Sequence, residues 1–279
     1  MAKIILPLIL MLTLCSSVYS QGKFAPTDEY LEYNVSWNFV NLGKIRVWTN
    51  ANADFIKSRV AIDSDPLIFF ANVHFIFESE FRDDSLLNDP FTAYETRGGD
   101  SIATVFRSVK GKIQAVRKDL KTNRILERVE TPVSTPYYNG ITAFFLTRRF
   151  AGRNEDLSEP FLFSSKSDNR ENDTPSFKIQ IERVDLHFTG KKTHVEVSSL
   201  DSEVNALEFS GYVHFVSKEI VGVSGEFTGW YSDDQARVPL KSTFNTFLGD
   251  VTLKLVKWKK ENWNPPVVNV NRHPNTKEY

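Results

Sequence analysis

Cysteine is all but absent: the chain of 279 residues carries one, Cys15, within the first twenty positions. Internal disulfides are therefore excluded. A mature chain that loses those positions has no thiolate for zinc and no cysteine nucleophile. Charge of one sign is lacking too. The 34 basic residues nearly balance the 35 acidic ones, for a net charge of −1, so no electrostatic field draws the chain to nucleic acid or anionic lipid. Methionine occurs twice, and no phosphate-cradling glycine loop, dinucleotide fingerprint or HExxH spacing is present. What abounds is phenylalanine, with 22 copies. Such a chain buries rigid rings as strand proteins do.

The opening residues join Lys3 to an apolar stretch, Ile4 to Leu14, and then to a small-residue site ending at Ser20. This is the layout of a secretory signal, residues 1–20, cleaved near Ser20. The stretch is shorter than the ~20 residues of a membrane-spanning helix. Leu14 stands where a lipidation signal at Cys15 needs a small residue, which argues against a lipoprotein. The expectation is an exported protein, periplasmic or secreted, with one β-rich domain over residues 21–262 and a loose tail over 263–279.

Periodicity carries the fold. Tyr33, Val35, Trp37 and Phe39 alternate with Asn34, Ser36 and Asn38, which marks a strand with one wet face. "NLG" at 41–43 reads as the turn into a return strand. Further strands are expected near 54–64, 91–97, 100–108, 111–118, 124–131, 177–188, 191–200, 204–217, 222–232, 239–248 and 250–259. "DPLIFFANVHFIFESEF" (65–81) reads as a short helix leading into a strand. The good helix candidate is 139–150, capped by Asn139, with Ile141, Phe144, Phe145 and Arg148 on one face and Arg148 and Arg149 placed toward the negative end of its dipole. Residues 164–176 read as a polar loop. The apolar phase changes between Phe177-Ile179-Ile181 and Val184-Leu186-Phe188, as a β-bulge near Glu182 or Arg183 would cause. Together these predict an all-β protein: an antiparallel barrel or strongly curved sheet of about a dozen strands with one short plugging helix.

"GWYSDDQARVPLKSTFNTFLGDVTLKL" (229–255) closes the pattern. Pro239 opens a strand, where its missing N–H does least damage. Asp233 and Asp234 fall in the corner before it, and Gly249 makes the reversal into the last strand. With "YLEYNVSWNFVNLGKIRVW" and "YYNGITAFFLTRRF", in that order, this segment resembles the bacterial exported family catalogued as domain of unknown function 3108, over roughly residues 28–258. The resemblance implies an exported, barrel-like β domain and brings no activity, cofactor or catalytic residue. The chain departs from the family pattern at 164–176.

No credible catalytic set emerges. Neighbouring aspartates on a turn point apart and do not flank a scissile bond. "GVSGE" (222–226) has its second glycine one place too early for a nucleophile elbow. His187, His194 and His214 lack metal-ligand spacing, so no metal and no cofactor is expected. "VKWKKENW" (256–263) interleaves lysine and tryptophan as a final strand running into a solvated tail does. The residues left as ligand-binding candidates are Trp230 and Glu226, on a polar strand face with Ser224 and Thr228, together with Tyr231, Phe144 and Phe145. The leading expectation is non-catalytic binding of an apolar or amphipathic envelope ligand, such as a lipid, or of an envelope partner. The alternatives are an envelope-polymer hydrolase using Glu226 with Asp233 or Asp234, and a structural assembly protein.

Overall fold

Leu31 and Tyr33 are buried and Asn34 is exposed, so the first strand, β1 (Glu29–Trp37), turns one row of side chains inward as its alternation requires. The computed structural model describes residues 26–52, 55–66, 73–86, 88–97, 99–167, 176–214, 225–246 and 249–268. Residues 1–20, read above as a secretory signal, and residues 67–72 of the expected helix-then-strand segment lie outside them. Strands β2 (Val40–Ala51), β3 (Phe55–Ser64), β4 (Val73–Arg82), β5 (Asn88–Arg97), β6 (Asp100–Val109), β7 (Lys112–Asp119) and β8 (Ile125–Pro132) follow. After helix α1 (Gly140–Phe150) come β9 (Asn154–Ser167), β10 (Ser176–Val197), β11 (Ser202–Val213), β12 (Gly225–Ser232), β13 (Pro239–Thr246) and β14 (Gly249–Lys260).

All fourteen strands form one antiparallel sheet in the order β8-β7-β6-β5-β4-β3-β2-β1-β14-β13-β12-β11-β10-β9. Nearly every connection is therefore local, and alternate connections lie at the same end of the sheet. The sheet curls but does not close: β8 and β9 are its two ends. Instead of pairing edge to edge, the inner face of β6–β8 lies against the outer face of the β9–β10 ribbon. Phe106, Ile113 and Ala115 pack there on Phe177 and Ile179, and the backbone N–H of Phe177 donates to Glu127 (3.1 Å). The other face of the ribbon, through Phe161, Val184, Leu186 and Phe188, packs on the helix side of the curl.

That overlap corrects two expectations. The phase change in β10 is not a bulge, because its pairing with β9 runs unbroken from Ser176↔Ser167 to Thr189↔Asn154. Opposite faces are simply buried at its two ends. The regions 177–188 and 191–200, read as two strands, belong mostly to this one strand of 22 residues. β9 itself was not anticipated, since "NEDLSEP" is charged and contains Pro160. Proline is tolerated because β9 is the last strand of the sheet.

One turn also differs from the sequence reading. The reversal between β1 and β2 lies at Asn38 (φ 52) and Phe39, not at 41–43. Gly43 (φ 151) sits inside β2, where a β-carbon would come within 2.9 Å of the Ser64 Cα on β3. The bulge that matters most is in β14. Pairing with β1 skips Val256, so that Leu31 faces Trp258 and Glu29 faces Lys260. This extra residue turns Trp258 and Lys260 inward, leaving Lys257 and Lys259 exposed. The tail is not loose where described: Trp263 is buried, and the Asn205 N–H donates to the Pro266 carbonyl (2.9 Å).

Candidate functional site

Helix α1 is fixed inside one end of the curl by its own sequence. Asn139 Oδ1 accepts from the N–H groups of Ile141 (2.8 Å) and Thr142 (3.1 Å), and Thr142 Oγ1 accepts from Asn139 N–H (2.9 Å). This reciprocal cap satisfies donors that a helix start leaves unpaired. Phe145 is fully buried edge-on to Phe81 (5.1 Å between ring centres), and Phe144 packs between the two halves of the core.

Arg148 does not act through the helix dipole at the surface. Its side chain is 1% exposed and pairs with Glu29, also 1% exposed. Nη2 reaches the second Glu29 oxygen (3.1 Å) and the Ala236 carbonyl (2.9 Å), and Nε donates to the Arg237 carbonyl (3.0 Å). The inward-turned Lys260 completes the group at 3.1 Å from Glu29. Burial is the largest single influence on Glu29 and pushes its carboxyl up, but Arg148 and Lys260 together hold it below the usual range. The helix, the first strand and the last strand are thus joined by charge at the base of the molecule.

The corner beside it is made by Asp234. Its Oδ1 accepts from Ser232 Oγ (2.8 Å) and from the N–H groups of Ala236 (2.9 Å) and Arg237 (3.1 Å), while Oδ2 accepts from the Trp263 indole (2.8 Å). Asp233 pairs with Lys192 (2.8 Å). Pro239 is the first residue of β13 and its carbonyl accepts from Tyr33 Oη (3.1 Å). Gly249 opens β14 with φ 107. Glu226, near the far end of β12, is separated from this corner by the strand, roughly 20 Å at ~3.3 Å per residue. Paired glycosidase carboxylates stand at most about 9.5 Å apart, so these acids do not converge.

The five ligand-binding candidates divide between the two faces of the sheet. Trp230 and the exposed Glu226 face outward. The Trp230 indole donates to Glu208 (3.0 Å) and its ring lies under Lys241 Nζ (4.8 Å), so it is already engaged across three strands. Tyr231, Phe144 and Phe145 face inward. Tyr231 stacks on Phe209 (5.2 Å) and shares a hydrogen bond with Thr147 Oγ1 (2.5 Å); burial pushes its hydroxyl up to about 12. The polar-stripe reading of Glu226 and Trp230 and the interior reading of the other three therefore describe different places. Ser224 lies outside the described residues.

At the end of the curl away from α1, the inner row is apolar but only half-buried. It comprises Phe75, Phe77, Phe227, Phe244 and Leu253, and continues through Phe91, the fourth residue of β5, toward the cluster that holds α1, against which Phe77, Phe91 and Phe227 pack. Phe75, Phe77 and Phe91 stack in sequence at 6.0 Å, and Phe227 stacks on Phe244 at 5.6 Å. Two glycines make this lining possible. Phe209 faces Gly229 across β11–β12 and Phe227 faces Gly211; a β-carbon on either glycine would overlap the ring laid over it.

Sequence reasoning missed three features. Glu29 shares the inward phase of Leu31 and Tyr33, which was the available signal for its burial. Lys260 gave none, because the β14 bulge inverts its phase. The third feature is a cross-strand row on the inner face, where Glu29 faces Thr49, Thr49 faces Ser58 and Ser58 faces Ser79. These three hydroxyls are buried without hydrogen-bond partners. The histidines do not meet: His187, His194 and His214 pair separately with Asp156, Glu203 and Asp185. Among the described residues no group of three or more potential ligands suits a metal, and no helix is long and apolar enough to cross a membrane.

A family profile described as protein of unknown function DUF3108 matches residues 32–256. The chain belongs to this family. The match spans most of β1 through most of β14 and so includes the helix, the corner and the half-buried row. Among solved structures, the chain is similar to a β-barrel-like protein of domain of unknown function DUF1849 from Brucella abortus, at 9% identity and a TM-score of 0.46, covering 87% of this chain and 98% of that one. The hypothetical protein CT021 from Chlamydia trachomatis is similar at 7% identity and a TM-score of 0.32, with 87% and 92% covered. No curated protein matches the chain.

Proposed function

We propose that this member of the family is an exported protein of the bacterial cell envelope that binds the apolar part of an amphipathic ligand, such as a lipid. The ligand lies along the inner face of the curled sheet. The observation carrying this reading is the half-buried aromatic row of β4, β12 and β13, which runs from the cluster around α1 toward the opposite end of the curl. Apolar surface held in a concave wall is the ordinary setting for such a ligand. The leader-like residues 1–20 support export. Reaction chemistry finds no support among the described residues, where the acids do not converge.

The test is recovery of the protein from its native envelope, followed by native mass spectrometry and uptake of a fluorescent fatty acid by the stripped protein. Bound lipid is expected, with uptake lost in Phe77→Asp and Phe244→Asp. A protein that carries no lipid and takes up no probe refutes the proposal.

A further inference from the structure

Scattered exposed apolar side chains are normal on any protein surface, and only their arrangement carries information. Among the described residues eight large apolar side chains are well exposed. Six of them, Phe39, Val40, Leu120, Ile125, Leu126 and Tyr212, lie in or within two residues of strand ends at one end of the sheet. This is the end of the β1–β2 and β7–β8 connections, and also of the half-buried aromatic row. The opposite end, which holds α1 and the corner, has Phe55 and Val267, the latter bridged to Val204 near the start of β11.

Phe39 is the extreme case, at 104% exposure. Asn38 (φ 52) makes the reversal tight, and the Asn41 amide donates to Asp65 (2.5 Å), just past the end of the neighbouring β3. The ring therefore projects from an anchored tip.

We infer that this end of the curled sheet docks on a zwitterionic phospholipid bilayer, with the Phe39 tip entering the interface. The geometry favours a fluid surface over a protein partner. From β2 to β7 is five strand steps, about 24 Å along the curve, and from β1 to β11 another four, about 19 Å. A protein interface needs a contiguous packed core, whereas separated apolar points suit a bilayer that closes around each one. The exposed charges at this end are mixed, Lys44, Lys121 and Arg124 with Asp100, Glu226 and Asp250, so anionic lipid has no particular hold. The docked end is also where the inner row is accessible, which gives an acyl chain a route between bilayer and interior. That last step rests on the proposed ligand binding; the docking itself does not.

The experiment is co-sedimentation of the purified protein with phosphatidylcholine vesicles. Binding is expected, unchanged by added salt. Phe39→Ser weakens it about tenfold or more, the loss of one buried aromatic side chain. Phe55→Ser, at the opposite end, leaves it unchanged. Both residues are exposed, so both variants should unfold at the wild-type temperature. Absence of vesicle binding overturns the inference. So does binding confined to anionic vesicles and abolished by salt, or an equal loss in the two variants. Vesicle binding without lipid in the interior removes the ligand reading and leaves the docking; interior lipid without vesicle binding does the reverse.

Discussion

Replacing Arg148 by Met tests whether the buried charge group holds the plug in place. The substitution keeps an unbranched side chain of helix-favouring type and removes every polar contact. Two Glu29 contacts and the bonds to the Ala236 and Arg237 carbonyls disappear. Glu29, 1% exposed, is left with Lys260 alone. Removing one partner from a buried pair costs about 3–5 kcal/mol, because the other charge stays desolvated. For a domain of this size that corresponds to a fall in melting temperature of roughly 6–20 °C. Arg149, the next residue, supplies the control. Its pair with Asp83 is partly open, with side chains 19% and 33% exposed, and Arg149→Met should cost no more than about 1 kcal/mol. Urea titration and calorimetry of the two variants decide the matter. If Arg148→Met is no more destabilising than Arg149→Met, the argument that burial makes the first pair critical is wrong.

Three further outcomes follow from the same geometry. Because the Glu29 carboxyl is held low in the folded state, its contribution is present above the unfolded carboxylate value of about 4.3 and is lost as pH falls through the folded one. Acid titration of stability should thus steepen below about pH 4.3, and Glu29→Gln should remove about one proton of that dependence even as it lowers stability at neutral pH. Gly229→Ala would drive a β-carbon into the Phe209 ring and should cost about 1–3 kcal/mol by overpacking, less in a Phe209→Leu background; equal costs in both backgrounds would contradict the reciprocal packing. Thr49→Val removes a buried hydroxyl that has no partner and should raise stability by about 1 kcal/mol in the same calorimetric assay. A loss instead would point to a partner, such as a bound water, for that hydroxyl.

Much of the fold was legible in single strands. The alternation around Tyr33 and the cap at Asn139 are local signals, and the structure realises each with the residues that carry it. What failed was inference from phase alone. A bulge was inferred because Val184, Leu186 and Phe188 are out of phase with Phe177, Ile179 and Ile181, whereas both faces of β10 are covered, one by the cluster around α1 and the other by β6–β8. β9 was hidden by its charges and Pro160, which are acceptable only on an end strand.

Sequence alone determined what is local: the period of two that commits most of the chain to strands, the amphipathic helix, and the turn chemistry that makes neighbours pair in order. Only the tertiary structure decided how far the sheet curls, that its ends overlap without pairing, and that Arg148 meets Glu29 and Lys260. The reason is that curl and overlap arise from twist summed over fourteen strands, and that one extra residue at Val256 reverses which side chains of β14 point inward. Neither property is present in any stretch short enough to read by pattern.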